Sequence, residues 1–143
     1  MLKVNIRQLD EEDVRFYNKE LTNLFNELHP DNQCLIDWFI WLKATGRIYG
    51  AFYKDNLIGM ITAVLIPKPY AAPKNFTLQL EDVVVTPEHR GKGVGKSMVK
   101  HVLGISQSHN WAYKCILNCS DKNIPFYKKC GFNTSVNSMR IDL

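Results

Sequence analysis

The segment from Phe76 to Ser108 most constrains the fold, because it carries a strand pattern through a glycine-rich loop into a helix pattern. The apolar run FTLQLEDVVV ends at Thr86-Pro87, since proline has no N–H to donate to a sheet. The loop HRGKGVGK follows, and apolar residues then recur at helical spacing from Val94 to Ser108. Strand, loop and helix in this order predict a layered fold in which helices cover a sheet.

Both kinds of element continue on either side of this segment. The patterns predict strands at 3–7, 47–53, 57–65, 76–85, 113–118 and 135–141, and helices at 11–28, 34–44, 94–108 and 123–129. Asp10 is placed to cap the first helix, Lys54-Asp55-Asn56 reads as a hairpin turn, and Gly131 as a helix stop. We therefore expect a mixed α/β (α+β) fold with a mostly antiparallel central sheet flanked by helices.

Length and charge exclude several classes of protein. A chain of 143 residues, 45% of them hydrophobic, is long enough for one domain with a real core, and no apolar run approaches the ~20 residues that span a bilayer. The acidic start MLKVNIRQLDEEDV does not fit a signal peptide, so we expect a cytosolic protein. The net charge of +4 suits an anionic small molecule but lacks the clustered basicity of a nucleic-acid binder.

The cysteines and histidines suggest no metal site. The four cysteines, Cys34, Cys115, Cys119 and Cys130, are spaced neither as a zinc knuckle nor as a disulfide framework. No histidine pair has metal-ligand spacing such as HxxxH. We expect buried, reduced thiols and no metal.

The glycine-rich loop invites comparison with the phosphate loop of NTPases, G-x-x-x-x-G-K-[ST], but the comparison fails three times. Position 90 is Arg where that motif needs its first glycine, and four residues from Thr86 to His89 separate the loop from its strand. Fewer than ~50 residues remain downstream, too few for a sheet of successive βαβ units. The chain is therefore not predicted to be a P-loop NTPase.

The same loop is well suited to another anion. Between a strand and a helix, the pattern Arg90-x-x-Gly93-x-Gly95 leaves backbone N–H groups unpaired at the positive end of a helix dipole. The two glycines permit close approach of a pyrophosphate, and Arg90, Lys92 and Lys96 add positive charge. A surface turn with solvated lysines is the alternative when the loop is considered alone.

Two segments together resemble the GNAT superfamily of N-acetyltransferases. LQLEDVVVTPEHRGKGVGKSMVK has the form of the cofactor-binding segment of that superfamily, and NCSDKNIPFYKKCGF resembles its second signature, with Asn123, Tyr127 and Gly131-Phe132 at the recurring positions. Within the superfamily, LEDVVV, RGKGVGK, YKCILNC and FYKKCGF in this order are similar to the glucosamine 6-phosphate N-acetyltransferases. The close resemblance covers about residues 80–132 and is loose before residue 76.

The resemblance implies a cofactor, acetyl-CoA, and direct transfer of its acetyl group in a ternary complex, without an acyl-enzyme. The backbone of Val83, Val84 and Val85 would pair with the pantetheine arm as an added strand. The implied pyrophosphate cradle consists of Arg90, Gly91, Lys92, Gly93, Val94, Gly95 and Lys96, with further cofactor contacts at Asn123, Lys128 and Lys129. Tyr127 is the implied general acid for the leaving sulfur.

On the acceptor side the resemblance implies an amino sugar phosphate. Glu81 and Asp82 would hold the sugar and orient or deprotonate the amine. Tyr113 and Lys114 match sugar-phosphate contacts, whereas Asn118 stands where the family carries an acidic residue. Weaker correspondences are Thr22, Lys68 and Arg140, and Asp142 lies nearer than Arg140 to the position of a basic residue in the family.

The implied activity is acetylation of glucosamine 6-phosphate, a step toward UDP-N-acetylglucosamine. Three alternatives stay open: a GNAT enzyme for another small amine such as a polyamine or aminoglycoside, one for a protein amine, and a non-catalytic acetyl-CoA-binding module. The resemblance also implies a homodimer in which the terminal segment NSMRIDL pairs with a partner subunit.

Overall fold

The fold is built on one five-stranded sheet, seen in a computed structural model that describes residues 1–28, 35–69 and 74–143. The strands are β1 (Asn5–Gln8), β2 (Gly46–Tyr53), β3 (Asn56–Pro67), β4 (Phe76–Val85) and β5 (Ala112–Ile116). They lie in chain order across the sheet. The first four strands pair antiparallel, and β5 runs parallel to β4. The expected mixed fold with a mostly antiparallel sheet is confirmed.

Helices cover both faces of this sheet. They are α1 (Glu11–Phe16), α2 (Asn18–Leu28), α3 (Leu35–Leu42), α4 (Val94–His109) and α5 (Ile124–Lys129). One apolar core joins α1, α2 and α3 to side chains such as Ile48, Met60 and Val84. A second core joins α4 to the opposite face, where Ile61, Leu78 and Leu80 are buried. The sheet therefore has an α1–α3 face and an α4 face. None of the described helices is long and apolar enough to cross a membrane.

The N-terminal helix differs from its prediction. The capping role of Asp10 is confirmed, since its carboxylate accepts from the Asp13 N–H at 2.9 Å while Asp13 accepts from the Asp10 N–H at 3.0 Å. However, the continuous helix predicted for 11–28 is interrupted at Tyr17, whose ψ of 21° departs from helical geometry. The Tyr17 ring packs at 5.3 Å on that of Phe52 in β2. Tertiary packing thus divides a region whose periodicity alone is continuous.

Several other boundaries shift by a few residues. The turn between β2 and β3 consists of Lys54 and Asp55 alone, and both residues have positive φ. Two-residue hairpin turns favour this conformation, because it matches the right-handed twist of the two strands. The strand predicted to reach residue 118 ends at Ile116. Cys34, the predicted start of the second helix, lies outside the described residues, as does the middle of the predicted loop at 67–75.

The strand predicted at 135–141 is wrong for this single chain. Residues 133–143 form no helix or strand, and every one of them is exposed. The apolar side chains of Val136, Met139, Ile141 and Leu143 are each at least 83% exposed. A strand needs a neighbouring edge to bond to, and among the described residues none lies beside this segment.

Candidate active site

A β-bulge bends β4 where its two carboxylates lie. Met60 of β3 pairs with Val84 and Thr62 pairs with Glu81, so two residue steps on β3 match three on β4. The extra residue is accommodated at Asp82, whose φ of 50° is uncommon for a residue with a side chain. A left-handed conformation of this kind costs about 1–2 kcal/mol. Such bulges redirect side chains next to functional sites.

The pairing between β4 and β5 ends before this bulge. Their parallel pairing runs only from Phe76 with Ala112 to Gln79 with Ile116. β4 continues through Leu80–Val85, whereas β5 has ended, so among the described residues no strand pairs with that edge of β4. Backbone N–H and C=O groups on an unpaired edge can bond to an extended ligand. We call this unpaired part of the β4 edge, beyond the end of β5, the opening in the sheet.

The glycine loop lies between β4 and α4. Gly91 and Gly93 have φ values of +74° and +83°, which glycine adopts without steric cost. Gly93 is the N-cap of α4, no side chain caps this end, and the first helical bond is from the Ser97 N–H to the Gly93 carbonyl at 3.0 Å. The N–H groups from Gly93 to Lys96 therefore have no intrahelical acceptor. They belong to the first turn of a 16-residue helix. This geometry favours an anion.

We predict that Gly93→Ala destabilises the protein by at least about 1–2 kcal/mol, because alanine resists the left-handed conformation. A Cβ at position 93 would also lie 2.8 Å from Cγ of Met1. Gly104→Ala is the matched control: Gly104 lies within α4, where an added Cβ meets nothing within 4 Å. That change should stabilise the protein by about 0.5–1 kcal/mol. Urea unfolding of both variants measures the difference, and equal effects would contradict the interpretation.

Arg90 joins three parts of this region. Its Nε donates to the Val85 carbonyl at 2.9 Å, and its Nη2 lies 3.1 Å from the Glu27 carboxylate on α2. The predicted cofactor ligand thus fastens the end of β4 to a helix on the α1–α3 face. The side chains of this ion pair are half exposed, so the contact is worth at most about 1 kcal/mol. In this structure the guanidinium organises the loop rather than standing free above it.

The loop pattern predicted that Gly95 permits close approach of a pyrophosphate, and the structure adds a packing role for this glycine. A Cβ on Gly95 would lie 3.2 Å from Cζ of Phe126 on α5 and 3.9 Å from Cγ2 of Val85. The missing side chain therefore lets α5 pack closely against the start of α4 and the end of β4. This approach brings α5, and with it Tyr127, to the opening in the sheet.

Tyr127 lies on α5 and packs against the α4-side core. Its ring meets those of Phe126 at 4.9 Å and Phe132 at 6.0 Å, both edge-on. Burial, with smaller contributions from the neighbouring Cys119 and Cys130 thiols, raises the pKa of Tyr127 to about 12. The phenol is therefore protonated at neutral pH and able to donate a hydrogen bond.

The thiols only partly match expectation. Cys115, Cys119 and Cys130 are free, as predicted. Burial raises the pKa of Cys115 to about 12 and also raises that of Cys130, so both favour the unreactive thiol form. The expectation of burial is wrong for Cys119, which is exposed because it lies beyond the end of β5.

The acceptor-side residues share the α1–α3 face of the sheet. Strand alternation places Gln79 and Glu81 on the face of Thr77, and Thr77 is in register with Lys114 of β5. Thr22 lies half-buried on α2, which packs over β3 and β4. Glu81, Lys114 and Thr22 are thus on the α1–α3 face of the sheet, whereas Tyr127 lies on the α4 face.

Other predicted residues are spread around this opening. Val83 and Val85 belong to the α4-side core and Val84 to the opposite one, as alternation requires after the bulge. Lys114 lies with its Nζ 5.3 Å from the Tyr113 ring centroid. Other predicted residues that are exposed are Gly91, Lys92, Asn118, Asn123, Lys128 and Lys129.

Two predicted contacts are not assembled with the rest in this chain. The Lys68 N–H donates to the Asn75 carbonyl at the end of β3, away from the bulge in β4. Arg140 lies in the exposed tail, where its Nε is 2.6 Å from the Asp142 carboxylate. Asp142, the nearer match to the basic position in the family, thus neutralises the arginine locally.

Sequence reasoning missed three residues of this region. Gln79 donates to the Glu81 carboxylate, and Glu27 forms an ion pair with Arg90. Thr62 lies buried opposite Glu81, and its hydroxyl has no hydrogen-bond partner within the described ranges. Alternation along β4 could have indicated Gln79, since residues two apart share a face. Glu27 has no such signal, because 63 residues separate it from Arg90.

Comparison with known proteins identifies the family of this chain. The sequence model described as the acetyltransferase (GNAT) family matches residues 6–132. The chain belongs to this family. The motifs from LEDVVV to FYKKCGF lie within the matched range.

More particular similarities are to one kind of enzyme within the family. The chain is 36% identical over 101 residues to the glucosamine 6-phosphate N-acetyltransferase of Trypanosoma brucei brucei, covering 71% of this chain and 61% of that protein. It is 37% identical over 78 residues to the enzyme of that name from Schizosaccharomyces pombe, covering 54% and 68% respectively. A solved acetyltransferase structure from Trypanosoma brucei superposes with a TM-score of 0.83 at 27% identity, covering 99% of this chain and all of that one.

Proposed function

We propose that this protein transfers the acetyl group of acetyl-CoA to the amine of glucosamine 6-phosphate, giving N-acetylglucosamine 6-phosphate. We infer a cytosolic enzyme that works by direct transfer in a ternary complex. The observation that carries the proposal is the opening between β4 and β5, which has an anion-binding loop and a phenol on one side and a carboxylate and lysine on the other. Two anionic substrates can therefore meet from opposite faces of the sheet.

The unpaired edge of β4 supports binding of an extended acetyl-CoA arm. The Thr86 N–H donates to the Ile58 carbonyl of β3. Because the backbone groups of successive residues point to alternate edges of a strand, those of Val85 and Val83 face the edge away from β3. The Val85 carbonyl already accepts from Arg90 on that side, which agrees with this direction. Backbone groups at Val83 to Val85 would pair with the pantetheine amides, and the start of α4 would hold the pyrophosphate.

The reaction itself requires the chain to move two protons. Acetyl-CoA supplies a thioester: the amine lone pair forms a C–N bond to its carbonyl carbon, and the C–S bond breaks. The proton lost by the amine passes to a carboxylate, for which Glu81 and Asp82 at the bulge are the candidates, directly or through water. The departing thiolate takes a proton from the Tyr127 phenol. None of these transfers needs a nucleophilic cysteine or a metal ligand from the chain.

The positive charge of the chain and of Lys114 favours an anionic acceptor. Lys114 is exposed on the α1–α3 face of the sheet. Its ammonium group can bind a phosphate on the acceptor through charge-assisted hydrogen bonds. Asn118 keeps a hydrogen-bonding group where the related enzymes carry an acid. A polyamine would instead favour a strongly acidic pocket, which a chain of net charge +4 does not suggest.

Thiol release from acetyl-CoA tests the proposal, with glucosamine 6-phosphate, glucosamine, spermidine and a peptide amine as parallel acceptors. We expect release with the sugar phosphate at a kcat/KM well above that with the other three. Faster release with another amine would overturn the acceptor while keeping acetyl transfer. Acetyl-CoA binding without release in any of the four would favour a non-catalytic module.

We further propose a homodimer in which the tail from Ser135 to Leu143 pairs with a partner subunit. Four exposed apolar side chains on a segment that forms no strand are the supporting observation. Met139→Asp should shift sedimentation velocity from dimer to monomer, because it would bury a charge in the interface, whereas Ser138→Asp, on the other face of a paired strand, serves as a control for added charge alone. A monomeric wild type at micromolar concentration would overturn the proposal.

A further inference from the structure

The Gln79 side chain lies directly beside Glu81, one of the two carboxylates proposed to accept the proton of the amine. Its Nε2 donates a hydrogen bond to Oε1 of Glu81, two residues along β4 on the same face. Both residues are half-buried. A donated hydrogen bond to a carboxylate is stronger than one between neutral groups, and it restricts the carboxylate to one orientation.

The residues in register with Gln79 and Glu81 on the neighbouring strands carry no charge. Glu81 is in register with Thr62 of β3, and Gln79 is in register with Val64 of β3 and Ile116 of β5. None of these three register neighbours is ionisable. The Thr62 hydroxyl is buried and has no hydrogen-bond partner among the residues that the structure describes. The hydrogen bond from Gln79 therefore stands out as a contact that can orient the carboxylate.

We propose that Gln79 is a positioning residue, which turns the Glu81 carboxylate toward the acceptor amine and holds it as a proton acceptor. This inference rests on the proposed function. The amide itself exchanges no proton and touches no reacting atom. Its second N–H and its carbonyl remain for the backbone, water or a sugar hydroxyl, and the proton leaving the amine goes to Glu81 as the C–N bond forms.

Gln79→Met tests this, because methionine has a similar length but no donor. We expect kcat/KM for the amine acceptor to fall about 10-fold or more, which corresponds to a lost hydrogen bond to a charged group, with KM for acetyl-CoA unchanged. Gln79→Arg retains N–H donors and should restore part of the activity. Gln107→Met, the same change at an exposed position of α4, should behave as wild type.

A double-mutant cycle separates positioning from simple structural damage. If Gln79 acts through Glu81, adding Gln79→Met to Glu81→Ala should produce no further loss. An equal 10-fold loss in both backgrounds would overturn the proposal, as would a wild-type rate in Gln79→Met.

A second readout does not depend on which amine is acetylated. In the NMR spectrum, the side-chain NH₂ signals of Gln79, assigned by their absence in Gln79→Met, should shift in Glu81→Ala. If wild-type enzyme releases no thiol with glucosamine 6-phosphate, the proposed function fails, and the cycle is run with whichever amine is acetylated. Unshifted signals overturn the Gln79–Glu81 contact whatever the acceptor.

Discussion

Tyr127→Phe should lower kcat about 100-fold or more while leaving KM for both substrates close to that of the wild type. General acid catalysis contributes roughly 10²–10⁴ to a rate, and the substitution removes only the proton donor. Burial raises the pKa of Tyr127 to about 12, so the phenol stays protonated across the range of about pH 6 to 9 in which such assays are run. The loss should therefore be constant across that range.

The matched control is Tyr49→Phe. Burial also raises the pKa of Tyr49, but its ring packs against His101 in the α4-side core and not at the opening in the sheet. Thiol-release kinetics of the two variants should differ by about the full 100-fold expected for a lost general acid. Wild-type kcat in Tyr127→Phe, or an equal loss in both variants, would exclude Tyr127 as the acid.

The raised pKa of Tyr127 also has a consequence for stability. The folded protein holds the phenol proton more tightly than the unfolded chain, whose tyrosines titrate near pH 10. Its contribution is therefore complete below about pH 10 and is lost as the pH rises toward 12. Tyr127→Phe should remove this part of the alkaline loss of stability, which urea unfolding at a series of pH values measures.

The second large effect is expected for Lys114→Ala. We predict that KM for glucosamine 6-phosphate rises about 10- to 100-fold, because a charge-assisted hydrogen bond to the phosphate contributes about 1.5–3 kcal/mol. The slow reaction with glucosamine, which has no phosphate, should change little. The substitution therefore reduces the preference for the phosphorylated sugar rather than the capacity for acetyl transfer.

The control for charge is Lys3→Ala, an exposed lysine before β1. Steady-state kinetics with both sugars, at low and high salt, should show a loss specific to Lys114 and to the phosphorylated sugar. A parallel decrease with both sugars would assign Lys114 to folding or to the cofactor. An unchanged KM would place the phosphate elsewhere.

The sequence predicts β4 and α4 closely, since each is specified by its own residues. The strand predicted at 76–85 is found at Phe76–Val85, and the helix predicted at 94–108 is found at Val94–His109. Proline at 87 and the glycines of the loop give clear local boundaries. The class of fold and the position of the glycine loop could therefore be predicted from local pattern.

Features that depend on distant residues could not be predicted in this way. The bulge at Asp82 exists because β3 pairs with β4 on both sides of it, and the Arg90–Glu27 pair joins residues 63 positions apart. The tail shows the opposite error: residues 135–141 have a strand-like pattern, but a strand also requires an edge with which to pair. The roles of Tyr127, Glu81 and Lys114 came from resemblance and await the kinetic measurements.

The opening in the sheet also affects how the purified protein should be handled. From Leu80 to Val85, one edge of β4 pairs with no strand in the described parts of the chain. Unpaired edges are templates on which other chains add strands and aggregate. Most proteins shield such edges permanently, whereas here a bound ligand would do so only for part of each catalytic cycle. Storage with coenzyme A should therefore slow precipitation and protect the amides of β4 from hydrogen exchange.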